Sequence, residues 1–105
     1  MTDTPETPLP ETVRERLEAA AFRRLLEHLR AHPEVQNIDL MNLAGFCRNC
    51  LSNWYLEAAE KEGVPLTKDQ SRHAVYGMSY EAWKEQHQRE ASAGQKAAFE
   101  GKAGH

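Results

Sequence analysis

Between Leu40 and Leu56 the chain reads LMNLAGFCRNCLSNWYL, seventeen residues with a single formal charge, at Arg48. In a protein with 28% charged residues, so long an uncharged run limits what the rest can fold around. On a 3.6-residue wheel Leu40, Leu43, Ala44, Cys47, Cys50, Leu51, Trp54 and Ala58 share one apolar arc, the spacing of a core-facing helix. The opposite side holds Asn42, Gly45, Asn49, Asn53 and Leu56, flanked by Met41 and Phe46, where a solvated face would hold Glu and Lys. The pattern predicts one continuous central helix, buried on both faces. Three buried Asn side chains need hydrogen-bond partners, in a polar network or on a partner's surface; the competing reading places them at a hydrated groove edge. Gly45 costs about 1 kcal/mol relative to Ala in a helix, which fits a close backbone approach. Arg48 and the asparagines interrupt a run already shorter than the roughly twenty apolar residues of a membrane span.

The chain's 105 residues suit one domain, and a formal charge of −3 is too mild to point to nucleic acid or to a membrane surface. The start, MTDTPETPLPETV, has neither the basic nor the apolar region of a signal peptide. The expected location is therefore the cytoplasm, where two cysteines stay reduced. About eighty ordered residues make a marginal single core, so a homo-oligomer, first of all a dimer, is expected, with a different protein as the other possible partner.

Residues 1–10 are rich in Thr, Pro and Glu and predict a disordered arm. A single helical domain follows over 11–92. Its first helix runs from Glu11 to about His32, stopped by Pro33, with an apolar stripe of Val13, Leu17, Ala21, Phe22, Leu25, Leu26 and Leu29. In PEVQNID, Asn37 or Asp39 can accept from free amides at the start of the central helix, which Gly63 ends. Thr67 and Gln70 form a capping box for a short helix over Lys68–Tyr76, closed by Gly77. Ser79 caps a fourth helix, YEAWKEQHQREA, and 93–105 reads as a frayed tail. With no strand pattern and no repeat, the expected fold is all-α: a bundle of four helices, one short, around the central one.

Cys47-x-x-Cys50 admits three readings. Two small buried hydrophobes are the simplest. A thioredoxin-like redox pair requires the first cysteine exposed at a helix start within a strand-bearing fold, and neither condition is met, since a continuous helix puts Cys47 two turns inside. A divalent metal such as zinc needs two further ligands, and His28 with His73 are the candidates, His32 and His87 being alternatives; otherwise no cofactor is expected. Arg48, if buried, requires a partner, most simply a carboxylate; if exposed, it snorkels from the helix edge. With Asn42, Asn49 and Asn53 it also makes a candidate site for a small anion. No hydrolase, zinc-protease, phosphate-loop, dinucleotide or deaminase motif is present. Cys47 with His73 as base is a nucleophile pair on paper only, and Tyr76, Tyr80 and Trp83 suit stacking or, more simply, a core.

The strings EVQNIDLMNLAGFCRNCLSNWYLEAA and VYGMSYEAWKEQHQREA closely resemble a small bacterial family, the domain of unknown function 1244. The resemblance extends from about Phe22 to Ala91. It implies a short all-helical protein that forms a helical homo-oligomer, and it supplies no activity. The family's recognisable positions fall on Asn37, Asp39, Asn42, Gly45, Cys47, Arg48, Asn49, Cys50, Trp54, Tyr55, Tyr76, Gly77 and Trp83. Ser79 stands where the family pattern has Pro, and either residue suits a helix start. Two functions are thus expected as alternatives: a self-associating interaction module without turnover chemistry, or a small metal-binding protein or enzyme centred on Cys47, Arg48, Asn49 and Cys50.

Overall fold

The computed structural model describes residues 9–101, which form six helices and no strand. They are α1 (Glu11–Ala31), α2 (Asn37–Ala44), α3 (Arg48–Lys61), α4 (Lys68–Tyr76), α5 (Tyr80–His87) and α6 (Ala93–Gly101). The all-helical bundle expected from the sequence is therefore present, with more and shorter rods. The predicted disordered arm lies outside the described residues except for Leu9 and Pro10.

Local signals fix most of the ends. Thr67 Oγ1 accepts from the Gln70 amide (3.1 Å) while Gln70 Oε1 accepts from the Thr67 amide (2.8 Å), so the capping box opens α4 as its sequence predicts. Ser79 Oγ accepts from the Ala82 amide at 3.1 Å and opens α5. α5 ends at His87 rather than running on to Ala91. Ser92 and Gln95 repeat the capping box (2.7 and 3.1 Å), and the expected tail becomes α6 over Ala93–Gly101.

The central stretch is not one helix. Gly45 adopts a left-handed conformation (φ +80°) and ends α2, and Cys47, with extended backbone, precedes α3. Apolar spacing alone cannot distinguish a continuous helix from two helices broken over three residues. A glycine as left-handed stop is the physical reason for the break.

The core joins Leu26 and Leu29 of α1, Leu51 of α3, Val75 and Tyr76 of α4 and Trp83 of α5. α3 packs along α4, and Ser52 and Ser71, each 0% exposed, are the small residues buried on these two helices. Each hydroxyl donates to its own helix, Ser52 to Asn49 O (2.8 Å) and Ser71 to Lys68 O (2.7 Å), so burial leaves neither unsatisfied. α6 lies on α2. Gln95 is the tie: its amide donates to Asp39 Oδ1 (2.7 Å), and its backbone carbonyl accepts from Asn42 Nδ2 (3.2 Å).

Only the second half of α1 joins the core. The first half leaves Leu17 55% exposed. The radius of gyration, 16.7 Å, exceeds the roughly 13 Å of a compact domain of this size.

Candidate functional site

Where α2 starts, the Asn37 side chain reaches two other elements. Its Nδ2 donates to the Tyr76 hydroxyl (3.0 Å), and its Oδ1 accepts from the Arg48 amide (3.3 Å) and from Arg48 Nη1 (3.1 Å). The Tyr76 hydroxyl donates in turn to Asn49 Oδ1 (2.8 Å), and Asn49 Nδ2 donates to the Tyr80 hydroxyl (3.2 Å). One continuous polar chain, Arg48–Asn37–Tyr76–Asn49–Tyr80, thus links α2, α3, α4 and α5. Nitrogen and oxygen of each amide are used in opposite senses, which is how a buried Asn is satisfied.

Arg48 is 2% exposed, and among the described residues no carboxylate pairs with it as expected. Nη1 donates to Val35 O (2.7 Å), Nη2 donates to His32 O (3.0 Å), and the guanidinium carbon lies 4.9 Å from the centre of the Trp83 ring. His32 is the residue that ends α1, so the cation meets the negative end of that helix's dipole and the π face of an indole. The carbonyls of His32, at the end of α1, and of Val35, in the turn beyond it, take the place of the carboxylate. Burial lowers the guanidinium's affinity for its proton, and the surrounding Tyr76, Cys47 and Glu34 act in the opposite direction. Burial likewise pushes the Tyr76 phenol well above its ordinary value, with the Asn37 hydrogen bond opposing it.

Of the four anion-site residues expected from the sequence, Arg48 and Asn49 share this network. Asn42 lies on α2 and bonds to α6, and Asn53 is exposed on α3. The break at Gly45 removes the single helical stripe that would have aligned them. Asn37, Tyr76 and Tyr80 were not among those four; the signal for them was an Asn just ahead of an uncharged run and two tyrosines four apart.

The cysteines flank Arg48. Cys47 is the residue before the first turn of α3, not two turns inside a helix, and is buried; Cys50 is partly exposed on that first turn; both are free thiols. Burial raises the Cys47 thiol above its ordinary value, opposed by the amides of Cys50 and Asn49. Among the described residues no three His, Cys, Asp or Glu side chains are grouped to hold a metal ion. His28 is exposed on α1 with its ring 4.6 Å from that of His32, and His73 is exposed on α4, so the two are not gathered into a ligand set with Cys47 and Cys50. No helix among the described residues is long and apolar enough to cross a membrane.

The apolar residues left at the surface include Leu17, Leu43, Trp54, Tyr55 and Val64. An open cleft of about 410 Å³ lies between α1 and the body, lined by Ala19, Phe22, Arg23, Leu26, Arg30 and Tyr55, among others. A second, of about 230 Å³, continues past Tyr55 to Val64 and Leu66.

Compared with known proteins, the chain matches no curated protein. A family model does match it, over residues 35–101, from the turn after α1 to the last residue of α6. The matched segment is more than half of the chain and contains Asn37, Arg48, Asn49, Tyr76 and Tyr80 together with both cysteines, so the protein belongs to the family described as protein of unknown function (DUF1244).

Proposed function

We propose that this protein is a self-associating module whose partner is a second copy of the same chain, docked through α1. The observation that carries the reading is Leu17, 55% exposed on the half of α1 that extends beyond the core. Val13, Leu17 and Ala21 recur every fourth residue, the stripe that a packed helix buries, and among the described residues Leu17 and Ala21 stay exposed while Val13 is half-buried. The cleft beside Phe22, Leu26 and Tyr55 continues the apolar surface toward the body.

Charge supports an antiparallel pair. The first half of α1 sets Glu11, Glu15 and Glu18 against Arg14 and Arg16, with Arg14 held by Glu11 (3.7 Å) and Glu18 (3.5 Å), whereas the second half sets Arg23, Arg24 and Arg30 against Glu27, so net charge runs from negative to positive along the helix. Two-fold antiparallel docking sets each acidic end beside a basic one, and a two-fold axis makes the contact self-complementary. A parallel pair would set like beside like.

Sedimentation velocity over a concentration series tests the reading. A dimer at micromolar concentration for the native chain, and a monomer for Leu17→Glu with unchanged far-ultraviolet circular dichroism, is the expected result. A native chain that stays monomeric throughout the series would overturn it.

A further inference from the structure

The break at Gly45 changes what the cysteine pair can do. At the starts of α4 and α5 the side chain of the residue before the first turn points at the amide three residues on, Thr67 to Gln70 and Ser79 to Ala82, each at 3.1 Å. Cys47 holds the corresponding position on α3, with the same extended backbone, and Cys50 stands three residues on. Unlike Thr67 and Ser79, Cys47 makes no side-chain hydrogen bond at its helix start, so its thiol is uncommitted there, and Cys50 stands at the position that a capping side chain meets.

Exposure separates the two roles. Cys47 is 8% exposed, whereas Cys50 is partly exposed. The usual order at a helix start, an outer first cysteine and an inner second one, is here reversed.

We propose that Cys47 and Cys50 are a reversible dithiol–disulfide pair in which Cys50 is the attacking thiol, Cys47 is the resolving thiol, and the oxidant is a low-molecular-weight disulfide. The Cys50 thiolate attacks one sulfur of the oxidant, whose S–S bond breaks and releases one small thiolate, leaving a mixed disulfide on Cys50. Cys47 then gives its proton to solvent and attacks the Cys50 sulfur. The mixed bond breaks and releases the second small thiolate. The protein loses two electrons and its two thiol protons; the small disulfide gains them and becomes two thiols. The closed ring encloses Arg48 and Asn49, two members of the polar chain, so oxidation state and network geometry are coupled. Burial keeps the resolving thiol protonated until the mixed disulfide makes the Cys50 sulfur an electrophile, in line with the roles assigned.

The test uses the full chain in glutathione disulfide, quenched with acid and followed by intact-mass measurement after alkylation of remaining thiols. The native chain is expected to lose two alkylatable thiols without retaining glutathione. Cys47→Ser is expected to stop at a stable mixed disulfide on Cys50, and Cys50→Ser to react more slowly than Cys47→Ser, on the order of tenfold, because its remaining thiol is buried. Cys47→Ala and Cys50→Ala, checked for cooperative urea unfolding, serve where a serine disturbs the fold. Persistent glutathione on the native chain, no reaction, or equal rates for the two single-cysteine proteins would each overturn the proposal. Because α1 takes no part in this chemistry, the result is independent of whether the chain dimerises through Leu17.

Discussion

Arg48 and Trp83 meet face to cation, 4.9 Å from guanidinium carbon to ring centre, in a site where both residues are at least 97% buried. A buried charge without a counter-ion is costly unless fixed dipoles replace water. Here the replacement is the end of α1, the Val35 carbonyl and the amide oxygen of Asn37. Arg48→Met keeps most of the packing volume but leaves the Val35 carbonyl without its donor, while Asn37 Oδ1 keeps the residue-48 amide and His32 O the Val35 amide, and a loss of about 1–3 kcal/mol is expected. Arg48→Lys should recover only part of it, since an ammonium cannot span carbonyls on different segments as a planar fork does. Urea unfolding of the two variants measures both; equal stability of native and Met proteins would refute this account of Arg48.

A second arginine does the reciprocal job. Arg30 of α1 donates to the carbonyls of Ala74 and Val75 at the end of α4, and α4 closes at Gly77 with φ +75°. A Cβ on Gly77 would come 2.9 Å from Arg30 Nε, whereas one on Gly45 would meet nothing within 4 Å. Gly45→Ala is therefore expected to cost only its backbone strain, about 1–2 kcal/mol, and Gly77→Ala more. In the Arg30→Ala background the excess at Gly77 should shrink. A thermodynamic cycle on residues 30 and 77 reads that coupling directly.

How much of this was legible in the residues depends on range. Thr67 with Gln70, Ser79 and the glycines at 63 and 77 act within a few positions along the chain, and each marks the boundary where the structure has it. Gly45 is the same stop signal as Gly77, but it sits inside a periodic apolar run whose spacing favours continuity. Ser92 with Gln95 is the same box as Thr67 with Gln70, masked by a polar tail with little to bury. The Arg48 site was legible in type and not in geometry: a lone cation in an uncharged run is either buried with a partner or exposed at the helix edge, and the run alone does not choose. That the partner is the end of another helix is a tertiary fact without a local sequence mark.

Alkaline pH probes the middle of the network. In the unfolded chain the Tyr76 phenol ionises near its ordinary value of 10, while burial holds it neutral well above that in the folded chain. Unfolding then releases a proton, so the stabilisation is fully present below about pH 10 and is lost as pH rises beyond it. Cys47, also raised by burial, acts in the same direction from its ordinary value of 9 upward. Tyr76→Phe leaves Asn37 Nδ2 and Asn49 Oδ1 unpaired. It should be less stable at neutral pH by about 1–3 kcal/mol, yet show a shallower decline above pH 10. Urea midpoints from pH 7 to the alkaline limit, compared with tyrosinate absorbance, check both signs.

The last helix offers a contrast in which loss of structure should leave the core intact. Over residues 93–100 every side chain of α6 is exposed or half-exposed. Its place on α2 depends on Gln95, which caps its own first turn through Ser92 and reaches Asp39 at 2.7 Å. Asp39 is shared, because its other oxygen accepts from the Gln36 amide (3.2 Å) at the start of α2. Gln95→Ala removes the side-chain half of the cap and of the tie, leaving Asp39 on Gln36 and the residue-95 backbone on Asn42 and Ser92. Amide exchange over 92–101 should then rise to near the unprotected rate while the global unfolding midpoint barely moves, since local opening and global stability are separable. Asp39→Ala should do both, releasing α6 and weakening the start of α2. If Gln95→Ala lowers the global midpoint as much as Asp39→Ala does, α6 is part of the cooperative core and its docking has been assigned to the wrong contacts.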